Sequence, residues 1–245
     1  MNSAALNRQT FRKFTDHEHQ TWKILFNHLE ENRRTQADTI FTDGIAILGI
    51  NNQRVPDIDE VNAKLANTTG FKGVPVEGLE MNLSFYPALA KRQYPIGNFL
   101  RSAEDIAYTP APDVFHDLYG HMPFFANETY ADFCEGYAKM VCKYLHEPER
   151  LKKFERFFWF SIEFALIETD KGRRIFGAGI LSSKAESNYA LSSEPAISEF
   201  NIAEMINQEY FVDKFQPRLF LLRKKSQLYT VIDQVEDLVL ASTPV

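Results

Sequence analysis

Cysteine is scarce in this chain, with two among 245 residues, Cys134 and Cys142. They stand eight apart inside one helical pattern, too far for a bridge along a helix, and no C-x-x-C occurs. A disulfide scaffold is therefore not expected, and both cysteines read as buried thiols. Long apolar runs are also missing, and MNSAALNRQTFRK at the start has no apolar signal core. No membrane association is expected, and the cytoplasm is the expected compartment. Basic clusters are missing too. The net charge is -6, and KGRR (171–174) and RKK (223–225) are too short for a nucleic-acid surface. Internal repeats, low-complexity tracts and Gly/Ser linkers are absent as well, which favours one folded unit.

What the chain has in quantity is aromatic rings, 21 phenylalanines and 10 tyrosines, enough for a large core and for a pocket around a flat ligand. The patterning is mostly helical. A T-x-x-E capping box, Thr15 to Glu18, opens a helix over 15–34, with Trp22, Leu25, Phe26 and Leu29 at helical spacing. FTDGIAILGI (41–50) reads as a buried connection and 56–70 as a short helix. VPVEGLE (74–80) reads as extended, and 82–95 as a helix that tolerates Pro87 near its first turn. Helical stripes follow over 127–147, N-capped by Asn127, and over 149–170. The segments 173–183 and 210–224 read as extended, and 226–240 as a closing helix. The expected fold is mainly α with small β elements (α+β), with residues 1–14 as a tail and 15–245 as one domain.

Two of only six histidines sit in PDVFHDLYGHMPFF (112–125), at H-x4-H. On a regular helix a spacing of five turns the second ring roughly 140° from the first. Hydrogen-bonded core histidines are therefore one reading, and a metal pair needs Gly120 to break the helix. Glu163 adds a third partner. It lies in FFWFSIEFALI, on the face that should be buried, with no lysine or arginine within a helical turn. A buried carboxylate costs several kcal/mol unless it is paired, hydrogen-bonded or metal-bound. Two imidazoles and a carboxylate occur both in catalytic zinc sites and in the facial triad of Fe(II) oxygenases. The protease signature H-E-x-x-H is absent, and a dry aromatic pocket suits activated oxygen better than hydrolysis.

PDVFHDLYGHMPFF, FWFSIEFAL and GAGILSSKAES, taken together with YTPAPD and FQP, resemble the catalytic core of the pterin-dependent aromatic amino acid hydroxylases. The resemblance is strongest to the short bacterial phenylalanine 4-monooxygenases and runs from about Thr15 to Leu240. It implies that His116, His121 and Glu163 ligate Fe(II). A tetrahydropterin and O2 are the implied cofactor and co-substrate, and a free aromatic amino acid is the implied substrate, L-phenylalanine giving L-tyrosine. It implies Arg101 for the substrate carboxylate, with Tyr108, Thr109, Gly179 and Ser182 around the substrate's backbone end. Pro112, Trp159 and Phe164 would wall the ring pocket. Gly78, Leu79, Phe85, Asp117 and Phe158 would face the pterin, and Ser183, Glu186 and Tyr210 would stand behind or beside the iron site. Relative to the family, Phe158 replaces a usual tyrosine and Ala165 a usual glycine, while Glu80 and Glu155 replace small or apolar residues. These departures imply a different pterin, looser coupling or altered regiochemistry. The alternatives are the same iron scaffold acting on another substrate, ring position or electron donor, or a non-catalytic metal-binding protein. No regulatory domain or tetramerisation helix is recognised, so a monomer is expected.

Overall fold

The computed structural model describes residues 11–77, 82–104, 106 and 112–243. Helix α1, Asp16–His28, begins at the expected capping box: Thr15 accepts from the Glu18 N–H, and Glu18 reaches back to the Thr15 N–H. It breaks at Leu29, and α2, Glu30–Thr35, continues from there. Just before α1, Phe11 and Phe14 pack on the core, and Arg12 pairs with Glu18.

The segment 41–50 is not a connection. Asp38 caps a helix, α3 (Thr39–Leu48), which ends at Gly49 with φ 62°. The helix's buried residues Ile40, Phe41, Gly44, Ile45 and Leu48 do recur at helical spacing, but Ala46 and Ile47 on the exposed side blur that stripe in the sequence. Gly44 lets α3 press against the turn after the histidines, where an added Cβ would lie 2.0 Å from the Pro123 carbonyl oxygen.

Helix α4 spans Ile58–Ala66. Strand β1, Lys72–Pro75, pairs in parallel with β2, Gln93–Ile96, and α5, Asn82–Leu89, lies between them in sequence. Pro87 is the sixth residue of α5, not in its first turn, and the helix ends two residues later. Helix α6 spans Glu128–Val141, capped by Asn127. The apolar run 149–170 divides: α7 (Pro148–Phe158) passes into a π turn (Trp159–Glu163) and then strand β3 (Ala165–Thr169). Periodicity cannot separate a buried helix from a buried strand in a run apolar on every side.

Strand β4 (Gly172–Ile175) pairs antiparallel with β3, and only this part of 173–183 is extended. It is followed by α8, Ala178–Leu181, and α9, Lys184–Leu191. Strand β5 (Ala196–Glu199), α10 (Ile202–Met205) and β6 (Arg218–Leu222) follow, so strand structure fills only the end of 210–224. The closing segment is two helices, α11 (Ser226–Tyr229) and α12 (Ile232–Ser242). The larger sheet has the order β4-β3-β6-β5, and one hydrophobic cluster runs from Trp22 to Val239. No helix among the described residues is long and apolar enough to cross a membrane.

Candidate functional site

The histidine spacing is resolved by local backbone geometry. His116–His121 form a π turn, whose i to i+5 hydrogen bonding widens the helix and returns residues five apart toward one side. The His116 and His121 Nε2 atoms come within 3.0 Å of each other. Gly120 does not break the helix. It lets α8 approach, since a Cβ there would meet the Ala178 carbonyl oxygen at 3.0 Å and Ser182 Cβ at 3.4 Å.

Glu163 closes the second π turn, where the Phe164 N–H donates to the Trp159 carbonyl five residues back at 2.9 Å. The turn delivers the carboxylate to the histidines, with His121 Nε2 3.1 Å from Oε1 and His116 Nε2 3.9 Å from Oε2. The ligand atoms all lie within 4.8 Å of one another.

Three lone-pair-bearing groups converging this closely need a cation or a shared proton among them. The protonation of His116 can be read from its neighbours. The Ser182 hydroxyl donates to the Gly179 carbonyl at 3.1 Å, so its lone pair accepts from His116 Nδ1–H at 2.9 Å. That leaves a lone pair on His116 Nε2, aimed at the site. Burial, followed by the neighbouring His121, pushes His116 down to about 4, which keeps it neutral. His121 is fully buried, and its ring stacks on Tyr94 at 4.7 Å. Burial pushes the Glu163 carboxyl up, but the charge and hydrogen bond of His121, then His116 and the Gly179 N–H, hold it below its ordinary value. Two neutral-capable imidazole nitrogens and one carboxylate fit a divalent transition metal such as iron.

Ser182→Ala is expected to leave the fold intact and to weaken metal affinity by roughly 10–100-fold, the usual effect of losing an outer-shell partner, read by chelator competition.

Above the triad lies a cavity of about 370 Å³, within the range of small-molecule sites. His116, Glu163, Asp117, Pro112 and Trp159 are among the residues that line it, together with Phe85, Phe158 and Tyr210.

A family-wide profile described as "Biopterin-dependent aromatic amino acid hydroxylase" matches residues 8–236. The chain belongs to this family.

A phenylalanine-4-hydroxylase of Pseudomonas aeruginosa is 37% identical over 224 residues, 91% of this chain and 85% of that protein. The rat phenylalanine-4-hydroxylase is 31% identical over 85% of this chain and 47% of its own length. The crystal structure of the Chromobacterium violaceum phenylalanine hydroxylase with bound iron(III) and 7,8-dihydrobiopterin superposes with a TM-score of 0.90 at 36% identity. That match covers 97% of this chain and 87% of the other.

The hydroxylase residues expected from sequence fall into layers. Phe164 is not a cavity wall. It lies behind Trp159, whose ring it stacks on at 4.7 Å, with Tyr210 on the other face at 4.4 Å. Ser182 backs His116, and Gly179 backs Glu163, where a Cβ would meet the Glu163 Oε2 at 3.1 Å. Arg101 is buried away from the cavity lining in a two-pronged pair with Asp113, at 2.9 Å through Nε and 2.8 Å through Nη2. Asp113 also accepts the His116 N–H at 3.0 Å, so one carboxylate ties the arginine to the first ligand. Asp117 accepts from the Gly97 N–H at 2.7 Å, and burial pushes it up to about 7. Tyr108, Thr109, Gly78, Leu79 and Glu80 lie outside the described residues.

Sequence reading missed Asp113, Asn82, Tyr86 and Tyr94. Only Asp113 carried a usable signal, an acid three residues before His116 at a helix start.

Ser183 is the N-cap of α9 and accepts from the Glu186 N–H. Burial alone pushes the Glu186 carboxyl up to about 7. Between about 4.5 and 7 the folded state keeps a proton that the unfolded chain has released, so this group costs stability as pH rises. Glu186→Gln is expected to melt above the parent at pH 8, with the gap closing by pH 5, in thermal unfolding across that range.

Proposed function

We propose that this chain is an iron(II)- and tetrahydropterin-dependent monooxygenase that converts L-phenylalanine to L-tyrosine. The observation that carries the reading is a set of two imidazoles and one carboxylate, all within 4.8 Å, of which His116 and Glu163 line a cavity that also holds Phe85, Phe158, Trp159 and Tyr210. When bound, the metal and pterin supply the activation of O2, two electrons coming from the pterin and one oxygen atom going to the substrate ring.

The protein's own part is holding and excluding. His116, His121 and Glu163 are proposed to hold the iron, with Ser182 fixing the His116 tautomer and Tyr94 fixing the His121 ring plane. Phe85 and Phe158 meet edge to face at 5.7 Å and 89° and are assigned to the pterin as a dry corner, one ring offering its face and the other its edge. Trp159, clamped between Phe164 and Tyr210, offers with Pro112 a rigid surface for the substrate ring. Arg101, oriented by Asp113, is assigned to the substrate carboxylate, for which a planar guanidinium is well suited. Tyr108, Thr109 and Gly179 are assigned to the substrate's backbone end, and Gly78, Leu79 and Asp117 to the pterin. Ser183 and Glu186 support the site from α9. The catalytic unit is assigned to residues 15–245, acting as a cytoplasmic monomer.

The substrate assignment is tested by the iron-loaded protein's kcat/KM for phenylalanine, tryptophan and tyrosine. Phenylalanine is expected to lead. Faster turnover of tryptophan or tyrosine refutes the substrate, and no turnover of any of the three refutes the activity.

A further inference from the structure

Helix α5 and the end of α7 meet at the cavity, with Asn82, Phe85 and Tyr86 at i, i+3, i+4 on one, and Glu155 and Phe158 on α7 followed by Trp159 at the start of the π turn. The aromatic members meet in edge contacts, Phe85–Phe158 at 5.7 Å and Tyr86–Phe158 at 6.2 Å. The remaining members form a polar rung, in which the Asn82 side-chain amide donates to Glu155 Oε1. Glu155 precedes Glu163 by eight residues, which places it on the order of 10 Å along the helix from the metal ligands.

Glu155 is under-partnered for its setting. It is half-buried, and among the described residues its one hydrogen bond comes from the neutral Asn82 amide and it has no ion pair. The adjacent Arg156 is turned away and paired with Glu209, and Lys152 also approaches Glu209, at 4.0 Å. Burial pushes the Glu155 carboxyl up. An ionised carboxylate has room for about four donors, and among the described residues only Asn82 supplies one, while Glu155 lines the cavity. A ligand that fills the cavity with a bare aromatic ring would strand it, and a ligand whose far end carries hydroxyl donors would satisfy it.

We infer that Glu155, held by Asn82, selects the cofactor by accepting hydrogen bonds from hydroxyl groups on the pterin side chain, at the end remote from the metal. This rests on the pterin-dependent reading above. Glu155 is then a specificity-determining residue that the chemistry itself does not use. One or two hydrogen bonds to a charged acceptor correspond to about tenfold or more in affinity.

The test is calorimetric binding of 7,8-dihydrobiopterin, which carries a dihydroxypropyl chain, and of 6-methyl-7,8-dihydropterin, which has the same ring without hydroxyls. Both are titrated anaerobically into the iron-loaded protein. The parent is expected to bind the hydroxylated pterin at least about tenfold more tightly. Glu155→Ala should bring the two within about twofold while leaving the methyl compound's affinity unchanged. Glu155→Gln, which keeps one acceptor oxygen, should fall between, and it provides the reading if the alanine variant melts early. Equal affinities in the parent, or an undiminished preference in both variants, would overturn the inference and leave the pterin reading standing. Failure of the parent to bind either compound would overturn both.

Discussion

Glu163→Ala is expected to lose iron and hydroxylation together, by far more than the 10–100-fold that loss of an outer-shell partner costs. The carboxylate is the only anionic donor of the triad, and without it two neutral imidazoles 3.0 Å apart must hold a divalent cation alone. His121, His116 and the Gly179 N–H hold the Glu163 carboxyl below its ordinary value, so its removal also costs the metal-free fold some stability, and folding has to be checked alongside metal content. Metal content after gel filtration, together with an unchanged far-ultraviolet spectrum, separates lost ligation from lost folding. Retention of a full iron equivalent would show that Glu163 is not a ligand. Glu163→Gln keeps one oxygen but no charge, and its iron affinity should lie between those of parent and alanine variant.

Gly177→Ala should have a large effect on the fold and on the metal site together. A methyl group there would lie 2.1 Å from the Glu163 carbonyl oxygen, 2.5 Å from its carbon and 2.7 Å from the Phe164 nitrogen. Those are backbone atoms of the turn that presents the carboxylate, and no rotamer change can relieve the clash. The Gly177 N–H also donates to the Ala165 carbonyl at 2.9 Å, so the connection from β4 to α8 is pinned at the point where it would have to move. Overpacking of this kind, against backbone that cannot yield, costs about 3 kcal/mol, or roughly 6–12 °C in Tm for a domain of this size. Because the clash falls on Glu163 itself, iron affinity should drop even below the melting temperature. A variant that melts with the parent and holds iron as tightly would contradict the packing described for this turn.

How legible the site was in sequence varied with the physics behind each part. Glu163 stood out because a carboxylate in an apolar stretch has to be compensated. The π turns did not, since a 3.6-residue repeat is the only helical period that the apolar pattern reports. That is why His116 and His121 looked misaligned on spacing alone. FTDGIAILGI was misread because exposed Ala46 and Ile47 blur the stripe that Ile40, Phe41, Ile45 and Leu48 form at helical spacing. FWFSIEFALIET was read as helix to its end, although β-branched and apolar residues there serve a π turn and a strand equally well. Glu155 was noticed only as a departure from the family pattern, and its pairing with Asn82 across the cavity emerged only from the fold. Arg101 was assigned a substrate role, while Asp113, which orients it and binds the His116 N–H, went unremarked.

The account is tested most directly by stoichiometry. The iron-loaded protein is supplied with L-phenylalanine, a tetrahydropterin and O2, and tyrosine formed is counted against pterin oxidised. The predicted result is close to one tyrosine per pterin, with none from the metal-free protein or from Glu163→Ala. Pterin oxidation without tyrosine, or tyrosine formation that does not depend on iron, would contradict it.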